Sequence, residues 1–506
     1  MKMNRTKNTA RNIKWGIIEK SISLLVPFVT RTVLIKILGV EYLGLSSLFT
    51  SVLSVLSLAE LGLGTAIVFS MYEPIANDDN DILCALLNIY RKIYYMIGCV
   101  VLIIGLVLVP FIDNLISGDI PHDINIYILY FIYLFNLVIS YFLFAYKTAL
   151  FSAHHRNDIV SKRATVVNLI SNVLKIVVLV LFRNYYVYTL VIPVATICTN
   201  LLNAKLATKY YPHIKCIGNI SKEMSSDIKK RMMGLISFKV YHVVFSSVDT
   251  LIISAFLGLV PLAIFNNYYY LQSAVGGFIS IFTASMTAGI GNKMITNSIE
   301  DNYKDFKKFV FMNGWIVGWC SVCLMCLYQP FMTIWVGKEL LFPFSTVLLM
   351  VLYFTIPKIT TLSYLYREAA GLWWEDRFRP IIATISNLLM NFILVQIIGM
   401  NGVIVSTILC SLFINIPWGT IILFKSYFKM SPLEYFEKIV YYLFIIFTAG
   451  VITYFVCGFV KNFGIVGLIM KMLICVIIPN VVFFLSYYKT KEFKEARILV
   501  KRIIKA

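Results

Sequence analysis

Long apolar runs, separated by short polar segments, dominate this sequence from end to end. Most runs reach about 20 residues, the length of an α-helix that crosses the hydrocarbon core of a bilayer. Their apolar residues are continuous and do not alternate with polar ones, which excludes the strands of a membrane β-barrel. Fourteen runs predict membrane-spanning helices, at roughly 15–38, 43–70, 93–112, 124–147, 164–182, 187–208, 233–257, 261–290, 309–330, 344–367, 380–398, 401–424, 437–459 and 464–487.

The composition agrees with an all-α polytopic membrane protein. Of the 506 residues, 59% are hydrophobic and only 14% are charged, whereas a soluble domain carries about 25% charged residues. So few charges cannot cover a water-exposed surface. We therefore expect lipid around most of the molecule and backbone polar groups that are paired within helices.

Basic residues are distributed unevenly between the two sides of the predicted membrane. If the N-terminus is cytoplasmic, 35 of the 45 Lys and Arg residues lie in cytoplasmic segments and three in outer loops. This asymmetry follows the positive-inside rule and predicts that both termini are cytoplasmic. Contact with anionic lipid headgroups accounts for the net charge of +20, so no nucleic-acid partner is expected.

The polar segments contain no nucleotide-binding insertion and no GxxxxGK[ST] motif, which argues against an ATP-driven pump. Cys320, Cys323 and Cys326 have a spacing seen in metal sites, but no histidine or further cysteine follows nearby in the sequence. We expect these thiols to pack as small hydrophobic groups, with no metal and no cofactor. The basic N-terminal segment leads into a retained first helix, since no small-residue cleavage site follows its apolar run.

An internal repeat divides the chain into two homologous halves. Residues 38–45 match 257–264 at an offset of 219, and residues 170–172 match 385–387 at an offset of 215. Each half holds six helices, an even number, so the halves are parallel repeats that rock against each other in alternating access. The predicted divisions are an N-lobe (1–208), a cytoplasmic linker (209–232), a C-lobe (233–424), and helices 13 and 14 with a basic tail (425–506).

Polar residues in equivalent register predict a cavity between the lobes. In the seventh run Lys239, His242 and Asp249 lie on one helical face, and the repeat maps this face onto the first run from Lys20 onwards. The residues that we expect to line the substrate cavity are Arg31, Lys239, Lys358, Asp249 and Lys20. Their positive balance favours an anionic substrate, because a charge at this depth normally faces a cavity or a partner.

Two further roles are predicted within the spans, and Arg31 has an alternative to its cavity role. Glu60, Asp249 and His242 are candidates for ion coupling; the alternatives are a structural ion pair for the acids and neutral packing for the histidine. Pro27 lacks an N–H and should kink the first helix, either as a hinge or as a passive bend. Arg31 lies beyond the midplane, where the alternative to a cavity role is snorkelling to the outer face.

One motif resembles a known family. The segment Ala59-Glu60-Leu61-Gly62-Leu63-Gly64, preceded by Arg31-Thr32 and Tyr42-Leu43-Gly44-Leu45, is similar to the Wzx-type flippases of the multidrug/oligosaccharidyl-lipid/polysaccharide (MOP) superfamily. The resemblance implies a MATE-like fold in the bacterial cytoplasmic membrane. It also implies transfer of an undecaprenyl-pyrophosphate-linked oligosaccharide to the outer leaflet, coupled to H⁺ or Na⁺. Membrane lipids, and the polymerase and glycosyltransferases of the same pathway, would be its partners.

Three alternatives remain open at the level of sequence. A flippase for the peptidoglycan precursor lipid II would have a first lobe lined by several arginines, whereas the first lobe predicted here offers mainly Arg31. A multidrug antiporter commonly has twelve spans and an acidic binding lobe. A membrane polysaccharide polymerase or ligase would carry a large outer loop, and the outer loops here are short. We therefore expect a transporter and not an enzyme.

Overall fold

The structure is a computed structural model that describes residues 5–60, 63–460 and 464–505. Within these ranges the regular elements are helices, with no β-strand. The first nine α-helices are α1 (Arg5–Ile37), α2 (Val40–Leu56), α3 (Leu63–Ala76), α4 (Asn80–Leu108), α5 (Ile126–Phe142), α6 (Thr148–Ala153), α7 (Asn157–Phe182), α8 (Tyr185–Tyr210) and α9 (Lys222–Leu257). The others are α10 (Leu259–Thr296), α11 (Ile299–Trp335), α12 (Phe344–Ile359), α13 (Thr361–Ala369), α14 (Arg379–Cys410), α15 (Ile416–Leu423), α16 (Leu433–Gly458), α17 (Ile465–Tyr487) and α18 (Lys491–Lys505).

Polar segments between the runs supply side chains that start the helices. The Asp79 carboxylate accepts a hydrogen bond from the N–H of Ile82 before α4, and the Ser221 hydroxyl accepts one from the N–H of Met224 before α9. Such caps satisfy amide groups that the first helical turn leaves unpaired. Consequently α9 begins eleven residues before its apolar run, as a polar extension of the predicted span.

The chain forms two compact units, residues 1–263 and 264–506. In the first unit α1 packs along α7, and α5 packs against both α4 and α8. Helix α9 packs on α2 and α3, so the apolar run that the repeat assigns to the second lobe lies within the first unit. The lobe boundaries inferred from the repeat remain predictions.

Two predicted spans of the first unit are interrupted. In the run 43–70, α2 ends at Leu56, a 3₁₀ turn covers Ser57–Glu60, and α3 begins at Leu63. In the run 124–147, the helical axis bends by 51° between α5 and α6, where Phe144 adopts a left-handed conformation (φ 56°). Irregular backbone is tolerated at membrane depth only where protein or a water-filled cavity surrounds it. The first interruption carries the charged side chain of Glu60, and the second carries that of Lys147.

In the second unit α11 packs against α12, α16 and α17, and α18 lies along α11. Helix α14 kinks at Ile398 and Gly399, whose backbone is not helical. This kink lies where two of the predicted spans, 380–398 and 401–424, meet. The glycine adopts a φ of +57°, which a residue without a β-carbon tolerates best.

These features confirm the predicted fold class, an all-helical protein that crosses the membrane several times. Within the described residues, nine helices or helix pairs are long and apolar enough to span a bilayer, and ten if α5 and α6 form one bent span. Each of the fourteen apolar runs overlaps a helix. The count of fourteen spans remains a prediction.

Candidate functional site

A polar cavity lies beside the first of the two interruptions, in the predicted span 43–70. The 3₁₀ turn, the first residues of α3 and the middle of α9 surround a space of about 200 Å³. Its lining residues are Ser57, Leu58, Glu60, Gly64, Thr65, Lys239 and Val243. Two of the residues singled out in the sequence, Glu60 and Lys239, thus face the same cavity from different helical segments. Within a membrane-spanning segment, as the sequence predicts for both residues, a carboxylate or an ammonium group is expensive and normally faces a cavity or a partner.

Two buried tyrosines hold the Glu60 carboxylate from behind. The Tyr94 hydroxyl donates a hydrogen bond to Glu60 Oε1 at 2.8 Å, and the Tyr90 hydroxyl donates one to the Tyr94 hydroxyl at 3.0 Å. The ring of Tyr141 packs edge-on against Tyr94, with 5.5 Å between centroids. These two consecutive hydrogen bonds orient the carboxylate and partly compensate its charge, since hydrogen bonds to an ionised acceptor are among the strongest in proteins.

Gly64 leaves space for the hydrogen-bonded side chains of Tyr90 and Glu60. A β-carbon at this position would lie 2.9 Å from the Tyr90 hydroxyl oxygen and 3.6 Å from Glu60 Oε1. A side chain here would displace the Tyr90 hydroxyl or push the tyrosine ring out of its place in the core. Gly64, the second glycine of the family-like motif, therefore has a steric role next to the cavity.

The other candidates on α9 have different surroundings. Asp249 is 2% exposed and lies one to five residues from other buried polar side chains, Ser247, Thr250 and Ser254. His242 is exposed on the surface of the unit. The structure therefore brings Lys239 to the cavity with Glu60, and it buries Asp249 further along the same helix.

On α1, the candidate residues are distributed along a helix that packs against α7. Thr30 donates a hydrogen bond to Asn172 Oδ1 of α7 at 2.9 Å. The next residue, Arg31, is half-buried and lies close enough to Tyr188 of α8 to interact with it electrostatically. Lys20 is exposed, and Pro27 lies inside an uninterrupted helix.

Lys358 belongs to the second unit, at the end of α12. Its side chain lies against α10, where a β-carbon at Gly276 would be 3.3 Å from Lys358 Cε. Its carbonyl oxygen accepts a hydrogen bond from Asn313 Nδ2 of α11 at 2.9 Å. The lysine is half-buried, and its place in a substrate cavity remains a prediction.

A buried ionic cluster of the second unit was missed by sequence reasoning. Asp376 is completely buried and accepts two hydrogen bonds from Arg379, both of 2.7 Å. Arg367 Nε lies 3.1 Å from the same carboxylate, and Arg379 also donates to Asn415 Oδ1 at 2.8 Å. In the sequence, both arginines count as ordinary basic residues of a cytoplasmic segment. An aspartate between two arginines at the end of a predicted span was the available signal.

The first unit has a related cluster at the start of α7. Arg156 Nε lies 2.9 Å from Asp158 Oδ1, and Arg11 Nε lies 3.9 Å from Asp158 Oδ2. The hydrogen bond to Asp158 raises the pKa of Arg156, which therefore stays protonated. In each unit, a buried aspartate thus pairs with two basic residues near the start of a long helix. This helix is α7 in the first unit and α14 in the second, and each corresponds to the fifth predicted span of its half.

A family model described as "Polysaccharide biosynthesis protein" matches residues 9–287. No curated protein matches the sequence.

Several solved structures share the fold. The lipid II flippase MurJ, in an inward closed conformation, aligns with a TM-score of 0.63 and 15% identity over 94% of this chain and 99% of that one. An inward-facing MATE family multidrug resistance transporter of the MOP superfamily aligns with a TM-score of 0.58 and 15% identity, over 80% and 97% of the two chains. The eukaryotic MATE transporter AtDTX14 aligns with a TM-score of 0.58 and 11% identity, over 83% and 94%. These alignments confirm the MATE-like fold, and at such identities they do not identify a cargo.

Proposed function

The chain belongs to the polysaccharide biosynthesis protein family, as its sequence motifs suggested, and we propose that it is a flippase for lipid-linked oligosaccharides. Its cargo is an undecaprenyl-pyrophosphate-linked repeat unit, which it moves from the inner to the outer leaflet of the bacterial cytoplasmic membrane. Both termini face the cytoplasm. It performs no covalent chemistry and acts between glycosyltransferases and a polymerase in the assembly of a surface polysaccharide.

The observation that carries this proposal is the cavity shared by Glu60 and Lys239. Transporters commonly form their substrate and ion sites at discontinuous membrane helices, whose interruptions expose backbone groups next to a cavity. Glu60 is the last residue of the 3₁₀ turn at such an interruption, and Lys239 lines the same space from α9. Charged side chains within membrane spans are expensive and normally face a cavity or a partner, so two such charges around one cavity favour a functional site.

The chemistry of the two charges suggests separate roles. An ammonium group is a suitable partner for a pyrophosphate, so Lys239 binds the anionic headgroup of the cargo, and Arg31, Lys358 and Lys20 contribute to the positive field along its path. Glu60 takes up and releases the coupling ion, H⁺ or Na⁺, while Tyr94 keeps the carboxylate oriented towards the cavity. Asp249 and His242 are secondary candidates for coupling, and Pro27 is the proposed hinge of α1.

The proposal is tested in a strain that lacks the gene and accumulates lipid-linked repeat units on the inner leaflet. We expect the wild-type chain to restore surface polysaccharide, whereas Glu60→Gln and Lys239→Gln fail to do so at equal protein levels in the membrane. Glu223→Gln and Lys229→Gln are matched controls, because both residues are exposed on the polar extension of α9. Normal polysaccharide from both cavity variants would remove Glu60 and Lys239 from the mechanism.

A second complementation experiment distinguishes this function from transfer of lipid II. A chain specific for lipid-linked oligosaccharide does not restore growth to cells depleted of their own lipid II flippase. Restored growth, without any effect on surface polysaccharide, would replace the proposed cargo by the peptidoglycan precursor.

A further inference from the structure

Three cysteines from three different helices meet inside the second unit. Cys326 of α11, Cys457 at the end of α16 and Cys475 of α17 are 5%, 4% and 0% exposed. Their sulfur atoms all lie within 4.8 Å of one another. The spacing Cys320-x-x-Cys323-x-x-Cys326 gave no sign of this cluster, because its other two members follow more than a hundred residues later.

The distances suit a metal ion. With metal–sulfur bonds of about 2.3 Å, the sulfurs of a trigonal or tetrahedral site lie roughly 3.8–4.0 Å apart. The cluster therefore needs to contract by at most about 1 Å to bind an ion, which rotation of the cysteine side chains can provide. All three residues lie on helices that pack directly against one another, so the site rests on a rigid scaffold.

A fourth thiol and a lysine complete the surroundings. Cys323, one turn before Cys326 on α11, donates a weak hydrogen bond to the backbone carbonyl of Cys475 at 3.8 Å. Lys471, one turn before Cys475 on α17, lines the same cavity as Cys326 and Cys457. A lysine four residues from a buried cysteine lies on the same helical face, so its positive charge faces the thiols.

We propose that Cys326, Cys457 and Cys475 form a binding site for a divalent thiophilic metal ion of the zinc class. Each thiol gives up its proton on binding, so three thiolates and one divalent ion carry a net charge of about −1. Lys471 neutralises this charge, which is essential for a site among membrane-spanning helices. Thiolate ligands select zinc and other soft or borderline ions over magnesium and calcium.

The adjoining cavity gives the ion access and a fourth ligand position. It has a volume of about 490 Å³, and polar side chains such as Gln329 and Thr333 contribute to its lining. It extends from the thiols to Lys338, in the turn between α11 and α12. An ion can therefore reach the cluster from the membrane surface at which α11 ends, and a water molecule can complete its coordination.

Metal binding would fasten helices that lie outside the internal repeat. Helices α16 and α17 follow the second set of six predicted spans, and the cluster joins each of them to α11. The site is distinct from the Glu60–Lys239 cavity, which belongs to the first unit. Its role is to stabilise the second unit, and it operates whether or not the proposed transport function is correct.

Purified full-length protein in detergent, kept reduced, is incubated with Zn²⁺ or with Cd²⁺ as a spectroscopic probe and then desalted. We expect about one metal ion per chain by elemental analysis, an ultraviolet thiolate-to-cadmium charge-transfer band, and a higher apparent Tm with Zn²⁺. Single serine substitutions of Cys326, Cys457 and Cys475 each abolish the band and the thermal shift. Cys99→Ser and Cys198→Ser are controls, since both thiols are exposed in the first unit, and they retain both signals.

Several results would overturn the proposal, and the first does not depend on the folding of any variant. Wild-type protein that retains no metal has no such site. Equal metal content in the triple serine variant would place the bound ion elsewhere. Protein isolated without reductant is also analysed by mass spectrometry. A disulfide between two of the three cysteines would show that the cluster forms a disulfide bond and not a metal site. Lys471→Met, which leaves the thiols intact, should weaken Cd²⁺ binding at least several-fold; unchanged affinity would refute the charge balance.

Discussion

Asp376 is the anion shared by two buried arginines, and replacing it with asparagine should destabilise the second unit strongly. The substitution preserves shape but removes the charge that Arg379 contacts twice at 2.7 Å and Arg367 once at 3.1 Å. Both arginine residues are at most 5% exposed, so water cannot replace the lost carboxylate. Removing one member of a buried ion pair costs about 3–5 kcal/mol, since a charge is left uncompensated.

The assay is thermal unfolding in detergent, followed by the loss of the monodisperse peak in size-exclusion chromatography after heating. The neighbouring substitution Glu375→Gln is the control, because it removes the same charge from an exposed side chain. We expect Asp376→Asn to lower the apparent Tm by several degrees and Glu375→Gln to leave it within about a degree, as for other surface changes. Equal Tm values for the two variants would show that the cluster does not stabilise the fold.

Two further predictions concern other parts of the chain. Gly64→Ala should reduce surface polysaccharide and cost about 1–3 kcal/mol of stability, because its β-carbon would lie 2.9 Å from the Tyr90 hydroxyl; Gly16→Ala, with no neighbouring atom within 4 Å, should be neutral in the same complementation and Tm assays. Burial alone would raise the pKa of Glu492, but its hydrogen bonds to a backbone amide and to Lys438 outweigh this effect and hold the pKa below its usual value. Because the pKa of Glu492 is lower in the folded protein than in the unfolded chain, where it is about 4.3, the ionised carboxylate stabilises the docked α18 at higher pH. This contribution is lost as the pH falls through the pKa of Glu492 in the folded protein. Hydrogen exchange of α18 should therefore accelerate below about pH 4 in wild-type protein but not in Glu492→Gln.

Hydrophobic pattern predicted the fold well because lipid imposes one dominant constraint on the chain. Each apolar run became helical, and the boundary between the runs 380–398 and 401–424 coincides with the kink at Ile398 and Gly399. The interruption at Ser57–Glu60 and the bend at Phe144 were not predicted. Neither contains proline, the residue that most strongly interrupts a helix, so the apolar pattern runs through both breaks.

The candidate site was predicted in part. Depth and register singled out Glu60 and Lys239 individually, but only the fold shows that they share one cavity. The tyrosine pair behind Glu60 was not found, since buried and interfacial tyrosines look alike in a membrane sequence. The three-cysteine cluster was missed for another reason. Its members are close only through the packing of α11, α16 and α17, and such distant pairings cannot be read from spacing.

Transfer of lipid-linked oligosaccharide by the purified protein is the direct test of the proposed flippase activity. The protein is reconstituted into vesicles that contain the undecaprenyl-pyrophosphate-linked repeat unit, and an ion gradient is imposed. The fraction of glycan exposed on the outside is then measured with a membrane-impermeant glycosidase. We expect gradient-dependent exposure of the glycan with wild-type protein, and no exposure above that of empty vesicles with Glu60→Gln. Exposure no faster than in empty vesicles for the wild type, or equally fast for both proteins, would contradict this expectation.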